Sequence, residues 1–433
     1  MNRLLLPSAS GTPRWSQEPE EDITSAEAIR AMSRAQVLKA VREHAPISRS
    51  ELAKYVPLSR ATVSSIVNEL LDNGLLLEAG LATSTGGRRP ALLRYQPEAR
   101  MALGVTMFNN EVVAVLTDLE GRPLKHCTRV WTGRTPEDLI HTMIGVVQEL
   151  CQSIDCRKVL GIGVGLPGVV DVSQGTLEIS ISMGWLGGRV EVRRMMEEAL
   201  HMPVIVANRS RIAALGELQV GVARGVSNLL YVFIGQGIVA GIVLDDSIYF
   251  GASSSAGEVG HVTVVADGPL CQCGNRGCLE MYASEDAIVA RAIAKARAAP
   301  DSAMRRVTKG NLQLLTIDLL IDCARQGDAA ALEVMNETGT YLGIALSATL
   351  NILNPQMLVL GGPIGCKAGS LLLEPTVREI ERRTLFIPLS AVRIVSGSTE
   401  TESIAIGAAV LALKHTHINR IFSETRPAGN SHD

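Results

Sequence analysis

Hydrophobic spacing divides the chain near residue 97. Before it, apolar positions recur at helical intervals: Val37, Leu38 and Val41 share one face of a helix running from Ser33 to near His44, and Pro46 stops it. Ser48 followed by Glu51 has the form of a capping box for a short helix carrying Leu52, Ala53 and Val56. After a brief turn at Pro57 and Leu58, Ser59 caps a third helix whose buried stripe is Val63, Ile66, Val67, Leu70 and Leu71, ended by Asn73 and Gly74. Strand-like stretches at 75–77 and 91–95 follow, separated by a turn region over 80–87.

Beyond Pro97 strands and helices alternate, which places this part in the α/β class. Strands are expected over 102–107 and 112–117, a turn at Gly121, a helix over 136–151 and a fully buried strand over 159–164. A similar strand, turn and strand recur over 229–244, so two related halves are expected. A short strand at 203–207 leads into Asn208 and a helix over 210–223, and a last helix over 403–415 should pack back on the first half.

Length and composition narrow the classes. A chain of 433 residues, 46% hydrophobic and 20% charged, has room for two or three domains. Its apolar runs all fall short of the roughly 18 residues a membrane span needs. Leu4 to Leu6 after Arg3 are too few for a secretory core, so a cytoplasmic protein with reduced thiols is expected. Residues 1–29, with Pro7, Pro13, Pro19 and an acidic run at 18–22, read as a disordered arm.

The net charge of −3 hides an asymmetry: from Arg30 to Tyr95 ten basic residues face five acidic ones. Positive potential concentrated in this segment changes the reading of its helices. A short helix, a tight turn and a longer helix with a small, polar and basic outer face form the arrangement in which the second helix enters a DNA major groove. Ser59, Arg60, Thr62, Ser64, Ser65 and Asn68 would face the bases and phosphates. A helical hairpin at a protein interface is the plainer alternative.

The most specific chemistry lies between Glu258 and Glu280. His261, Cys271, Cys273 and Cys278 supply one imidazole and three thiolates, the set a tetrahedral structural zinc ion prefers, and Gly274 and Gly277 allow the backbone to turn tightly between them. Buried thiols or disulfides are the alternative, and disulfides do not suit a reducing compartment.

Together, G-E-V-G-H ending at His261 and C-Q-C-G-N-R-G-C-L-E ending at Glu280 resemble the signature of the ROK family, which groups sugar kinases with sugar-responsive repressors. The resemblance implies a two-lobed, actin-like (ribonuclease-H-like) domain with a structural zinc loop, preceded here by a winged helix-turn-helix. It also implies a sugar pocket formed by Glu258, Glu280, Asn208, His261, which would bind metal as well, and Gly168 in the run G-I-G-V-G-L-P-G. The run G-G-R-R-P resembles the wing and linker of the family's repressors, where Arg88 and Arg89 would enter a minor groove; a solvated wing tip is the alternative. L-N-P-Q-M-L-V-L-G-G over 353–362 resembles the family's nucleotide-side strand and turn.

Three departures argue against a kinase. The family's D-x-G-G-T loop is Thr106-Met107-Phe108-Asn109-Asn110, its G-T-G-x-G loop is Gly235-Gln236-Gly237-Ile238-Val239, and its catalytic Asn-Asp pair is Asn208-Arg209. A guanidinium stays protonated and cannot take a proton from a sugar hydroxyl. Arg209 would either clamp an anionic sugar or neutralise Glu258 or Glu280.

The expected organisation is an arm (1–29), a winged helix-turn-helix (30–96), a first lobe (97–224, completed by 398–416), a second lobe (225–397, with the zinc loop at 261–280) and a tail (417–433). The expected function is a regulator, as a homodimer or a tetramer, that binds an inverted-repeat operator under control of a sugar or sugar phosphate. An active sugar kinase with a fused DNA-binding unit is the alternative.

Overall fold

The computed structural model describes residues 25–81, 90–108, 110–180, 183–185, 187–398 and 401–415. The N-terminal unit contains α1 (Ser25–His44), β1 (Ile47–Ser48), α2 (Arg49–Leu52), α3 (Arg60–Asp72), β2 (Leu76–Leu81) and β3 (Ala91–Tyr95). Val37 and Val41 of α1 meet Leu52, Val63, Val67, Leu70 and Leu93 in one apolar core. Both expected caps form. The Glu51 amide donates to Ser48 Oγ at 3.3 Å while the Ser48 amide donates to Glu51 Oε2 at 3.0 Å, and the Thr62 amide donates to Ser59 Oγ at 3.1 Å. Ser59→Ala should therefore lower the unit's stability by about 1 kcal/mol, read as an earlier first transition in thermal denaturation.

Two features differ from expectation. α1 begins at Ser25, inside the stretch read as a disordered arm, and eight residues before Ser33. The large apolar residues of this extension, Ile29 and Met32, are exposed rather than part of a core, but Arg30 and Arg34 both pair with Glu69 of α3, which ties it down. The sheet has three strands in the order β1-β3-β2 rather than two, Ile47 lying opposite Leu93. A two-residue strand is too short to leave a period in the sequence. Arg88, Arg89 and the tip of the β2–β3 connection lie outside the described residues, as do the rest of the arm and the tail.

The first large sheet contains β4 (Met101–Phe108), β5 (Glu111–Asp118), β6 (Pro123–Val130), β7 (Val159–Leu166) and β10 (Val204–Asn208), in the order β10-β7-β4-β5-β6. Between them come α4 (Pro136–Cys151), the small hairpin β8 (Val169–Asp171) and β9 (Thr176–Ile179), and α5 (Val192–Leu200). After α6 (Arg209–Gln219), β11 (Leu229–Ile234), β12 (Ile238–Leu244) and β13 (Ser247–Ile248) open the second sheet. The chain continues through α7 (Glu280–Ala283), α8 (Glu285–Ala298), α9 (Ala303–Val307), α10 (Ile317–Arg325) and α11 (Ala329–Leu353) to β14 (Met357–Gly361). It finishes with α12 (Gly362–Ala368), α13 (Ser370–Arg383), α14 (Phe386–Ala391), β15 (Arg393–Ser396) and α15 (Thr401–His415).

The second sheet runs β13-β12-β11-β14-β15. In both sheets the first three strands form an antiparallel meander, the fourth joins in parallel beside the first and the fifth in parallel beside the fourth. The recurrence seen over 229–244 is the visible part of this repeat. Strands buried on both faces, such as β4, β7, β11 and β14, read as continuous apolar runs for the same reason.

The C-terminal helix does return to the first sheet. A Cβ on Gly104 would fall 1.9 Å from the Ala405 carbonyl oxygen, and one on Gly163 would fall 1.8 Å from that of Ala408. Bare backbone at these positions is what lets α15 lie on β4 and β7. α6 ends at Gln219 rather than near Ala223, because the Glu217 carboxylate accepts from the Val222 amide at 2.9 Å and turns the chain out of the helix. Leu353 still belongs to α11, which Asn354 ends in a left-handed conformation. Among the described residues no helix is long and apolar enough to cross a membrane.

Candidate functional site

The loop after β13 brings His261, Cys271, Cys273 and Cys278 together, with their ligand atoms all within 4.8 Å of one another. Cys273 Sγ and Cys278 Sγ are 3.7 Å apart, and Cys271 Sγ lies 3.8 Å from His261 Nδ1. A tetrahedron with metal–sulfur bonds of about 2.3 Å has edges of about 3.8 Å. The donor set and its spacing therefore fit a four-coordinate metal ion.

Local folding supports this convergence. Gly274 and Gly277 have φ of +89° and +67°, and a Cβ on Gly277 would stand 1.6 Å from the Val265 carbonyl oxygen. Asn275 holds the loop from within, its Nδ2 donating to Thr263 Oγ1 at 2.9 Å. Burial, followed by hydrogen bonds with Cys273 and Cys271, pushes the Cys278 thiol up to about 12. A bound cation reverses that cost, because it stabilises the thiolates.

The flanking glutamates extend from this loop. Glu280, the first residue of α7, directs Oε2 at the Ile238 amide, which donates to it at 3.2 Å. A Cβ on Gly237 or Gly260 would come within 3.3 and 3.2 Å of that oxygen. Glu258 is exposed and pairs with a buried cation, Arg211 Nη2, at 2.5 Å. Burial lowers the Arg211 pKa, and the Glu258 carboxylate opposes that shift. Arg211 was not among the residues expected at the site; a single charge inside the run R-I-A-A-L-G was its signal.

Asn208 closes β10 and caps α6. Its Oδ1 accepts from the amides of Ser210 at 2.9 Å and Arg211 at 3.3 Å, while its Nδ2 donates to the Gly168 carbonyl at 2.7 Å. Asn208 thus bonds directly to one other expected effector residue, Gly168. Gly168 has φ of +118°, and a Cβ there would lie 2.1 Å from the Ile179 carbonyl oxygen. Beside it Ser180 Oγ is buried without a hydrogen-bond partner among the described residues, a second polar group that sequence reasoning missed.

Arg209 does not neutralise Glu258 or Glu280. Its Nη1 donates to the Met107 carbonyl at 2.6 Å, and its guanidinium carbon lies 5.1 Å from the centre of the Phe108 ring. Phe108 in turn meets Phe233 of β11 edge to face, with ring centres 6.3 Å apart. This stack runs from the first of the loops that depart from the kinase pattern to β11, which leads into the second, and links β4 to β11. Burial brings the Arg209 guanidinium down to about 10, so it stays charged at neutral pH.

At the N-terminal unit, Ser59, Arg60, Thr62, Ser65 and Asn68 are exposed along α3 and Ser64 is half-buried. Asn68 Oδ1 accepts from Arg49 Nη1 at 2.8 Å, and the hydroxyls of Ser59 and Thr62 bond each other at 2.8 Å.

The paired sheets and the His/Cys loop belong to an actin-like α/β domain of the kind shared by kinases and regulators. A sequence model of the ROK family matches residues 102–415, and the chain belongs to this family. Among curated relatives, the xylose repressor of Bacillus subtilis (strain 168) is 28% identical over 401 residues, covering 91% of this chain and 98% of the relative. The DNA-binding transcriptional dual regulator NagC of Escherichia coli (strain K12) is 29% identical over 407 residues, covering 93% and 97%. Among solved structures, a ROK family transcriptional regulator, homolog of the E. coli MLC protein, aligns at 27% identity with a TM-score of 0.77 over 91% of this chain and 98% of that one. A ROK family glucokinase from Streptomyces griseus, in complex with glucose and AMPPNP, is 27% identical with a TM-score of 0.62, covering 72% of this chain and 99% of its own.

Proposed function

We propose that this chain is a sugar-responsive transcriptional repressor whose ROK domain binds a sugar or sugar phosphate without phosphorylating it. The observation that carries the reading is Arg209. At the position where a kinase of the family needs a proton acceptor stands a cation held by the Met107 carbonyl and the Phe108 ring. A base missing from that place removes roughly two to four orders of magnitude of rate, and the Phe108–Phe233 stack fills space that phosphates would need.

The N-terminal unit supports the DNA half of the reading. α2, its turn and α3 form a helix-turn-helix with β2 and β3 as the wing, and the exposed polar face of α3 suits a major groove. One such unit gives little specific affinity, so a homodimer reading an inverted repeat is expected, with pairing of dimers to a tetramer open to test, in the cytoplasm where that DNA resides. His261, Cys271, Cys273 and Cys278 would hold a structural zinc ion, which stiffens the wall carrying Glu258 and Glu280.

The test has two arms. Thermal-shift screening should find a sugar or sugar phosphate that raises the melting temperature and changes affinity for a selected DNA duplex. ATP consumption with hexoses should stay at background; turnover at a useful rate would return the protein to the kinases. Arg60→Ala should weaken specific DNA binding by about 1–3 kcal/mol and leave the sugar-induced thermal shift unchanged.

A further inference from the structure

We propose that α6 carries the state of the effector pocket to the DNA-binding unit, with Arg211 engaged at one end and Gln219 at the other. The proposal rests on the effector reading above and adds the route. Arg211 is buried, with Nη2 2.5 Å from Glu258 Oε1 and Nη1 donating to the Ser254 carbonyl. Six residues on, buried Glu217 accepts from the Ser398 amide at 2.8 Å and from Ser398 Oγ at 3.3 Å, on the segment that leads from β15 to α15. At the far end Gln219 Nε2 donates to the Glu120 carbonyl in the turn between β5 and β6.

That turn is also the support of the N-terminal unit. Leu119 packs on the unit's apolar core, and its amide donates to the Pro97 carbonyl at 3.1 Å. The Glu120 carboxylate lies 3.8 Å from Arg42 of α1, whose guanidinium sits 5.5 Å from the centre of the Tyr95 ring. One helix is thus pinned to the pocket, to the crossover between the sheets and to the turn beneath α1.

The helix has little freedom to absorb a displacement. Arg211 and Gln219 are about 12 Å apart along its axis. A Cβ on Gly216 would fall 2.2 Å from the Ser403 carbonyl oxygen of the segment forming α15, and one on Gly241 of β12 would fall 2.7 Å from Ala214 Cβ. A guest hydroxyl that draws on Glu258 competes with Arg211 for the same carboxylate, and a buried guanidinium has no water to replace it. The rigid response is a shift of α6 as a whole. The far contact can accommodate one, because Lys39, Arg42, Glu43 and Glu120 line an open hollow of about 310 Å³.

Amide hydrogen exchange on the full-length chain tests this without a ligand. Arg211→Met should change exchange at Gly121, Arg122 and the last turn of α1 by at least roughly 5-fold, the lower range of ordinary coupling. Gln219→Met keeps the side chain's length but removes its N–H, and in that background the effect of Arg211→Met on α1 should vanish. Unchanged exchange at the turn, or an effect on α1 that is the same with and without Gln219, overturns the proposal. If Arg211→Met also loosens the strands of the second sheet, Glu258→Gln replaces it in the cycle, weakening the same pair from its exposed side, and is judged by the same two outcomes. D-xylose, N-acetyl-D-glucosamine and its 6-phosphate, added to the wild-type chain on its selected duplex, test the effector reading separately. If none alters DNA affinity, that reading is undermined for these probes, while the exchange cycle decides the route by itself.

Discussion

Replacing Cys278 with serine is expected to reduce bound zinc from about one ion per chain to a small fraction and to weaken effector binding by at least ~10–100-fold. The thiol is buried and opposes Cys273 at 3.7 Å, so its loss opens a corner of the tetrahedron. Structural zinc sites hold their loops with apparent binding energies of about 10–16 kcal/mol in small domains at neutral pH. Without that energy the turns at Gly274 and Gly277 have little reason to keep their left-handed conformations, and Glu280, two residues beyond Cys278, loses its fixed position. Elemental analysis and calorimetric titration with the sugar found by screening would read both effects, with Cys127→Ser on β6 as the control. Full metal content with unchanged affinity would remove the zinc reading.

Gly163→Val is expected to cost more than ~4 kcal/mol, beyond the range of ordinary substitutions. The first added carbon would stand 1.8 Å from the Ala408 carbonyl oxygen, and its next neighbours there are also backbone. No rotamer change relieves such a contact, so α15 must lift from β4 and β7. The expected readouts are a large fall in melting temperature and early proteolytic release of the C-terminal helix. Gly187→Ala, with nothing within 4 Å of the new carbon, should stay within about 0.5 kcal/mol of the parent.

Much of this architecture was legible because strong periods and specific spacings mark it. Ser48 with Glu51, Ser59, the stripe from Val63 to Leu70, and the apolar strands of both sheets each satisfy a local rule that the fold then uses. The His/Cys loop was legible because one imidazole and three thiols at such short spacing rarely serve anything but a metal ion. Long-range polar geometry left no such trace. Nothing local separates Arg209, bound to a backbone carbonyl and an aromatic ring, from Arg211, bound to Glu258. Their partners, Met107 and Phe108 for one and Glu258 for the other, lie 102, 101 and 47 residues away in sequence. The start of α1 was hidden for the converse reason: Ile29 and Met32 in its first turns are exposed rather than packed in a core, and the ties there are ion pairs to Glu69 of another helix.

The return of α15 to the opening sheet fixes an order of events during synthesis. β10, β7 and β4 are made roughly 190 to 290 residues before the helix that covers them, a wait of about 10–60 s at ordinary elongation rates. Through that interval the nascent chain carries a finished reading head above an uncovered hydrophobic floor. A message cut short before codon 401 therefore yields a polypeptide fit for degradation rather than a permanently locked switch, and a chain stopped at residue 400 should be insoluble although its first hundred residues are intact.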